Sequence, residues 1–148
     1  MPDGTCYLLA VDFDEDNWRD DAMAFRQSCD ELDVPVSLEI SRSGNGAHAW
    51  IFFSSAVTAR DARRLGSAII SHTCARTRQL ELSSYDRLFP NQDVLPKGGF
   101  GNLIALPLQK QPRERGCSVL SMKASSLLPT NGRSWRRSGQ WTVEISKG

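Results

Sequence analysis

The sequence lacks a long hydrophobic run: no apolar stretch approaches the roughly 20 residues that a membrane-spanning helix needs. Its start, MPDGTCYLLAVDFD, has no basic segment of the kind that opens a signal peptide, so we expect a cytoplasmic protein that is not exported. There are four cysteines but no C-x-x-C pair, which argues against a zinc site and favours reduced cysteines that fill space. Internal repeats are absent, and 148 residues suit a single domain.

Charge is unevenly distributed, although the formal net charge is only +1. Residues 1–58 carry eleven acidic and three basic residues, a net charge of −8. Residues 59–148 carry six acidic and fifteen basic residues, a net charge of +9. This division fits a metal site beside a phosphate-binding surface. Two oppositely charged faces that merely aid solubility explain it equally well.

The first two predicted elements are a strand and an amphipathic helix. Residues 6–14 alternate between two faces, as a strand does. After Asn17, a candidate N-cap, apolar side chains from Trp18 to Leu32 recur at spacings of three and four, so the helix should end near Asp33.

The chain after this helix predicts a hairpin and a second helix. Residues 36–41 and 48–53 alternate on either side of the turn RSGNG, with Glu39 on the outward face of its strand. Thr58 and Asp61 resemble a capping box that opens the next helix. The segment SYDRLFPNQDVLPKGGFGN looks like a loop, and LIALPL looks like a short strand. The order β-α-β-β-α predicts an α+β fold, with a mostly antiparallel sheet, helices on one face and an open catalytic face.

Two acidic residues occupy one face of the first strand. Asp12 and Asp14 are two positions apart, so their carboxylates project from the same face about 7 Å apart. Such a pair can bind a hard cation such as Mg²⁺ or Mn²⁺. The pattern D-x-D is weak alone, because most such pairs belong to solvated acidic turns.

A glycine-rich turn precedes His48, one of the two histidines of the chain. Two glycines in SRSGNGAH allow backbone N–H groups to face an anion. His48 is in phase with Trp50 and Phe52 and could share the open face with Asp12 and Asp14, where it could donate a hydrogen bond to a triphosphate. A plain surface histidine is the equal alternative.

With YDRLFPNQD and LPKGGFGNLIALPLQ, these features resemble the archaeo-eukaryotic primase superfamily, most closely the primase-polymerase domain of TOTE conflict systems, over residues 5–119. The D-x-D motif of that superfamily maps onto Asp12 and Asp14. Its small-x-His motif maps onto residues 46–48, and its third acid maps onto Asp86, with Asp93 as the weaker candidate. The resemblance implies an RRM-like palm.

The resemblance also implies template-directed nucleotidyl transfer, in which two Mg²⁺ or Mn²⁺ ions assist attack of a primer 3′-hydroxyl on the α-phosphate of a nucleoside triphosphate. The implied catalytic residues and metal ligands are Asp12, Asp14 and Asp86. The implied nucleotide-binding residues are Ser43, Gly44, Asn45, His48, Arg87 and Lys97. The implied partners are a nucleic-acid template and primer, nucleoside triphosphates, and helicase or nuclease components of the same system, with no membrane.

The chain departs from this family at both ends. We expect an upstream segment with zinc-knuckle-like cysteines to be missing, which leaves residues 1–119 as a partial catalytic domain. From Leu120 the sequence leaves the family pattern. Codons exist for the usual continuation of the family that, after deletion of one nucleotide, encode residues 119–136 except for Leu128. Residues 120–148 are therefore predicted to be a frameshifted tail without a selected fold. A basic, tryptophan-bearing nucleic-acid tail is the alternative.

Three other functions stay open at this point. A non-catalytic nucleic-acid-binding module with an RRM-like open sheet would show aromatic side chains on that face and indifference to metals. A metal-dependent nuclease would use the same carboxylates. An inactive fragment would retain the ancestry without the activity.

Overall fold

The computed structural model describes residues 4–79, 81–93 and 103–121, and within them eight elements form one sheet with three helices. In chain order they are β1 (Thr5–Phe13), α1 (Trp18–Glu31), β2 (Ser37–Ile40), β3 (Ala47–Thr58), α2 (Ala59–Thr77), β4 (Tyr85–Phe89), α3 (Lys110–Glu114) and β5 (Leu120–Ser121). The strand order is β4-β1-β3-β2-β5, and each neighbouring pair is antiparallel. The predicted α+β class and the order β-α-β-β-α are confirmed.

The main core lies between the sheet and the two long helices. The predicted stripe of α1 is buried from Trp18 to Cys29, while Leu32, just past the helix, remains 44% exposed. From the sheet, alternate residues of β1 pack against these helices, and Phe13 contacts Phe25 edge to face. At the start of α2, the backbone N–H of Asp61 donates to the hydroxyl of Thr58, so the predicted N-cap is confirmed.

A smaller apolar cluster lies on the opposite face of the sheet. Ala10, Trp50 and Phe89 are buried there, with Ile104 and Leu120 packed against them. This cluster occupies the middle of the face, so the polar residues of the same face meet at one end of the strands. That end carries Asp12 of β1 and His48 of β3.

Two local predictions are wrong. Residues 85–89, predicted as part of a loop, form β4, which pairs along β1 from Ala10 to Phe13. Residues 103–108, predicted as a strand, contain none, and Leu103 is 81% exposed. Backbone pairing explains the first result, because the free edge of β1 needs hydrogen-bonding partners and the short segment YDRLF supplies them.

The loop before β4 is fixed to α1 and to the end of β1. Asp21 is 3% exposed and accepts hydrogen bonds from the backbone N–H of Ser84 at 3.0 Å and from its hydroxyl at 2.7 Å. The carbonyl of Ser84 accepts a hydrogen bond from the N–H of Asp14 at 2.7 Å. The position of Asp14 therefore depends on a carboxylate that is buried in α1. No described helix is long and apolar enough to cross a membrane.

Candidate active site

Four charged or polar residues form one row across the sheet. The register pairs Glu39 of β2 with His48 of β3, His48 with Asp12 of β1, and Asp12 with Arg87 of β4. Directly opposed residues in antiparallel strands project to the same face. The row therefore alternates acid, histidine, acid and arginine on the face opposite the helices.

His48 lies between two carboxylates. Its Nδ1 is 3.1 Å from Glu39 Oε2, and its Nε2 is 3.4 Å from Asp12 Oδ1. Burial disfavours the charged imidazolium and by itself lowers the pKa of His48. The hydrogen bonds and negative charges of Asp12 and Glu39 outweigh burial and raise the pKa to about 9. His48 is therefore a cation at neutral pH.

Glu39 lies on the predicted face of β2, but it is not the solvated residue that its outward position suggested. It is 1% exposed. The indole Nε1–H of Trp50 donates to Glu39 Oε2 at 2.8 Å, and the same oxygen accepts the bond from His48. Trp50 is itself buried and contacts the His48 ring edge to face. The apolar cluster covers the carboxylate, and these two donors compensate the cost of burying it.

Asp14 directly follows β1 and lies beside the glycine-rich turn. Its side chain is exposed, and a Cβ placed on Gly46 would lie 3.0 Å from Asp14 Oδ1. The same Cβ would lie 2.7 Å from the carbonyl oxygen of Phe13. Glycine is therefore required where the turn meets the end of β1. The D-x-D motif and the turn thus meet at one place.

The turn itself is closed by internal hydrogen bonds. The N–H of Gly44 donates to the carbonyl of Ser41 at 3.0 Å, and the N–H of Asn45 donates to the hydroxyl of Ser43 at 3.2 Å. Gly44 has a φ of +86°, a conformation that favours glycine. Two amides of the predicted phosphate nest are therefore already engaged within the turn.

Asp86 occupies an irregular position in β4. Arg87 pairs with Asp12 and Tyr85 pairs with Phe13, so Asp86 is an extra residue between these pairs. Such bulges redirect a side chain. Asp86 Oδ2 lies 2.5 Å from Arg87 Nε. This hydrogen bond and the charge of Asp86 raise the pKa of Arg87, and the charge of Asp12 adds to the effect.

The remaining sequence candidates lie elsewhere. Asp93, the weaker candidate for the third acid, forms an ion pair with Arg63 of α2, and its carbonyl lies beside Gly4 at the far end of β1 from Asp12. Lys97 lies outside the described residues. Residues 122–148 of the predicted tail lie outside them as well. The first residues of that tail, Leu120 and Ser121, pair with β2.

The predicted metal ligands fit divalent cations in their chemistry, because carboxylate oxygens are the donors that Mg²⁺ and Mn²⁺ prefer. Among the described residues, no group of three or more His, Cys, Asp or Glu side chains is arranged to hold an ion. Asp12 contacts His48, and Asp86 contacts Arg87. These carboxylates would exchange such contacts for a bound ion.

The sequence motifs identified neither Glu39 as a residue of the site nor the hydrogen bond that Trp50 donates to it. A usable signal was present, because the turn between Ile40 and Ala47 closes an antiparallel hairpin in which Glu39 must face His48. An acidic residue opposite a histidine on one face predicts a pair.

A comparison with known families shows to which family the chain belongs. The family model described as TOTE conflict system, Archaeo-Eukaryotic Primase domain, matches residues 1–130. No curated protein matches the chain. The match spans both the D-x-D strand and the turn with His48, so the resemblance seen in the motifs is confirmed. The chain belongs to the archaeo-eukaryotic primase domain family of TOTE conflict systems.

Proposed function

We propose that this protein is a template-directed nucleotidyltransferase of the primase-polymerase type, acting in a TOTE-type conflict system. The observation that carries the proposal is the contact between Asp12 and His48 on the face opposite the helices. It brings an acid of the D-x-D strand next to the histidine that follows the glycine-rich turn. Family membership supports the same reading.

In this proposal Asp12, Asp14 and Asp86 hold two Mg²⁺ or Mn²⁺ ions. When bound, such ions lower the pKa of an attacking hydroxyl and neutralise charge on the phosphates. Asp86 contacts Arg87 in the structure and would have to give up that contact to hold an ion. Arg87, in the same row as Asp12, would then be the residue that contacts a phosphate.

The triphosphate is bound by cationic and polar groups around the turn. His48 is charged at neutral pH and offers its Nε2–H to a phosphate oxygen, while its Nδ1–H stays bonded to Glu39. Ser43 and Asn45 are exposed on the turn and add polar contacts, while Gly44 provides its conformation. Lys97 is a further candidate outside the described residues. Template and primer would lie along the same face.

Calorimetric titration of a dNTP in the presence and absence of Mn²⁺ tests this proposal. Asp14→Asn is the informative variant, because Asp14 is exposed and its loss leaves the pair of Asp12 and His48 intact. We expect metal-dependent binding to weaken by roughly tenfold or more, as for loss of a charged contact. Asp30→Asn is the matched control, since Asp30 is an exposed aspartate on α1 that pairs only with Arg26 among the contacts described.

Primer extension with Mg²⁺ or Mn²⁺ then tests catalysis itself. Circular dichroism must show that each variant is folded. A folded wild type that binds no nucleotide with either metal would contradict the proposed site. Nucleotide binding without primer extension would show a nucleotide-binding domain that lacks polymerase activity.

One observation favours a second candidate, a non-catalytic nucleic-acid-binding module. Phe52 is 53% exposed on the face that carries His48, and its ring stacks on Trp50 with an interplanar angle of 9°. Exposed aromatic rings on a sheet can stack on unpaired bases. In that case Phe52→Ala would weaken binding of single-stranded nucleic acid, and removal of divalent metal would not change it.

A further inference from the structure

Glu39 is a buried carboxylate that the proposed reaction does not use directly. It is 1% exposed and lies on β2, which carries none of the proposed metal ligands. Burying a carboxylate is costly unless donors compensate it, and an apolar residue of similar size often serves stability as well or better. A buried charge at this place therefore calls for an explanation beyond stability.

The contacts of Glu39 converge on a single oxygen. Oε2 accepts the Nδ1–H of His48 at 3.1 Å and the Nε1–H of Trp50 at 2.8 Å. The bond from Trp50 prevents the carboxylate from rotating away, because that indole is itself buried. One fixed acceptor thus faces one nitrogen of the histidine ring.

The His48 ring is held on three sides. Nδ1 contacts Glu39, Nε2 faces Asp12, and the indole of Trp50 lies edge-on at 5.8 Å between ring centroids. A hydrogen bond to one ring nitrogen of a histidine fixes the proton there and the direction of the other nitrogen. The contact to Glu39 therefore decides where Nε2 points.

We propose that Glu39 is a positioning residue, which holds the Nδ1–H of His48 so that Nε2 faces Asp12 and the triphosphate. The role of the ligand in this inference rests on the proposed function. The placement of the ring does not, and it can be measured without nucleotide. Trp50 supports the same arrangement by fixing Glu39.

The chain contains a natural control for this contact. It has two histidines, and the second, His72, has its Nε2 3.2 Å from Glu31 Oε2. Both of these side chains are 41% exposed. The two glutamate–histidine pairs therefore differ in burial and in their distance from the proposed site. Glu31→Gln changes the exposed pair, and with it the 3.7 Å contact of Glu31 Oε2 to Arg76 Nε, but leaves the pair of Glu39 and His48 unchanged.

Two substitutions of Glu39 separate positioning from packing. Glu39→Met fills a similar volume but removes the acceptor. Glu39→Gln keeps an acceptor oxygen at the same reach and removes the charge. A role in packing alone predicts that Glu39→Met binds nucleotide as tightly as the wild type. A positioning role predicts that Glu39→Gln retains more nucleotide affinity than Glu39→Met.

The experiment records ring nitrogens of the ¹⁵N-labelled full chain by long-range ¹H–¹⁵N correlation, together with calorimetry of a dNTP in Mn²⁺. For the wild type we expect a slowly exchanging proton on Nδ1 of His48. In Glu39→Met this proton should exchange fast, and dNTP binding should weaken roughly tenfold or more, as for loss of a hydrogen bond to a charged group. Glu39→Gln should retain the slow proton, and Glu31→Gln should leave both measurements unchanged.

The proposal is overturned if Glu39→Met keeps the ring signals and nucleotide affinity of the wild type. It is also overturned if the wild type has no proton on Nδ1, a result that needs no variant and so holds even if Glu39→Met fails to fold. A wild type without nucleotide affinity would refute the proposed function, whereas the ring signals would still decide whether Glu39 positions His48.

Discussion

Gly46 packs so closely against Phe13 that a Cβ on the glycine would lie 2.7 Å from the Phe13 carbonyl oxygen. The neighbouring contacts of this Cβ would be Asp14 Oδ1 at 3.0 Å and Ser41 Oγ at 3.4 Å. Backbone atoms cannot move aside as a flexible side chain can. The absence of a side chain at Gly46 therefore allows the turn before His48 to touch the end of β1.

We expect Gly46→Ala to destabilise the fold by about 1–3 kcal/mol, as overpacking typically does. It should also weaken nucleotide binding, because the turn must move away from Asp14. Urea unfolding and calorimetry measure the two effects. Gly44→Asn is the matched control for the urea measurement alone, since asparagine tolerates a positive φ and the nearest contact of a Cβ there is Cys117 Sγ at 3.6 Å. Equal stability of Gly46→Ala and the wild type would contradict the close packing.

The stability of the metal-free protein should depend on the charge of His48. Its pKa is about 9 in the folded chain, above the usual value of 6.5. The folded state therefore binds this proton more tightly than the unfolded state. The resulting stabilisation, about 2–4 kcal/mol, is fully present below pH 6.5 and is lost as the pH rises through 9.

Urea unfolding of the wild type and His48→Gln, in chelator between pH 6 and pH 10.5, isolates this contribution from other titrating groups. The difference in free energy of unfolding should be largest at pH 6 and should shrink as the pH rises. His72→Gln removes the exposed pair with Glu31 and should cost less than about 1 kcal/mol throughout. A difference for His48→Gln that is constant with pH would show that the imidazolium does not stabilise the fold.

Asp21 should matter to the site although it lies in α1. Its carboxylate accepts both hydrogen bonds from Ser84, whose carbonyl binds the N–H of Asp14. Asp21→Ala leaves buried donors unsatisfied and should cost about 2–4 kcal/mol of stability. Asp20→Ala, at the exposed neighbouring position, is the control. Chemical denaturation measures both, and a small effect of Asp21→Ala would mean that the loop is held by other contacts.

The periodic elements could be predicted from the sequence because each has its own local signal. The apolar stripe from Trp18 to Cys29 and the cap at Thr58 arise from interactions within one helix. The strand β4 has no such signal, since five residues that end at Phe89 look like part of a loop. It forms because the edge of β1 provides hydrogen-bonding partners, and that depends on the whole sheet.

The candidate site shows the same limit. Asp12, Asp14 and His48 could be named from their motifs, and the structure brings Asp12 and His48 together. The burial of Glu39 could not be predicted, because a charged residue on an alternating strand normally faces water. It is buried by the sum of distant contacts, namely the indole of Trp50 and the pairing of Leu120 opposite Glu39.

Residues 122–148, the end of the predicted tail, should be dispensable for folding. Residues 122–148 contain five basic residues and one acidic residue, and the frameshift interpretation assigns them no selected fold. Truncation after Ser121 keeps β5 and its pairing with β2. We expect the same urea midpoint and the same affinity for single-stranded DNA as in the full chain.

If the tail instead binds nucleic acid, truncation should weaken DNA binding and reduce its dependence on salt, because phosphate contacts release counterions. A loss of folding stability would contradict both interpretations and would show that the tail belongs to the domain.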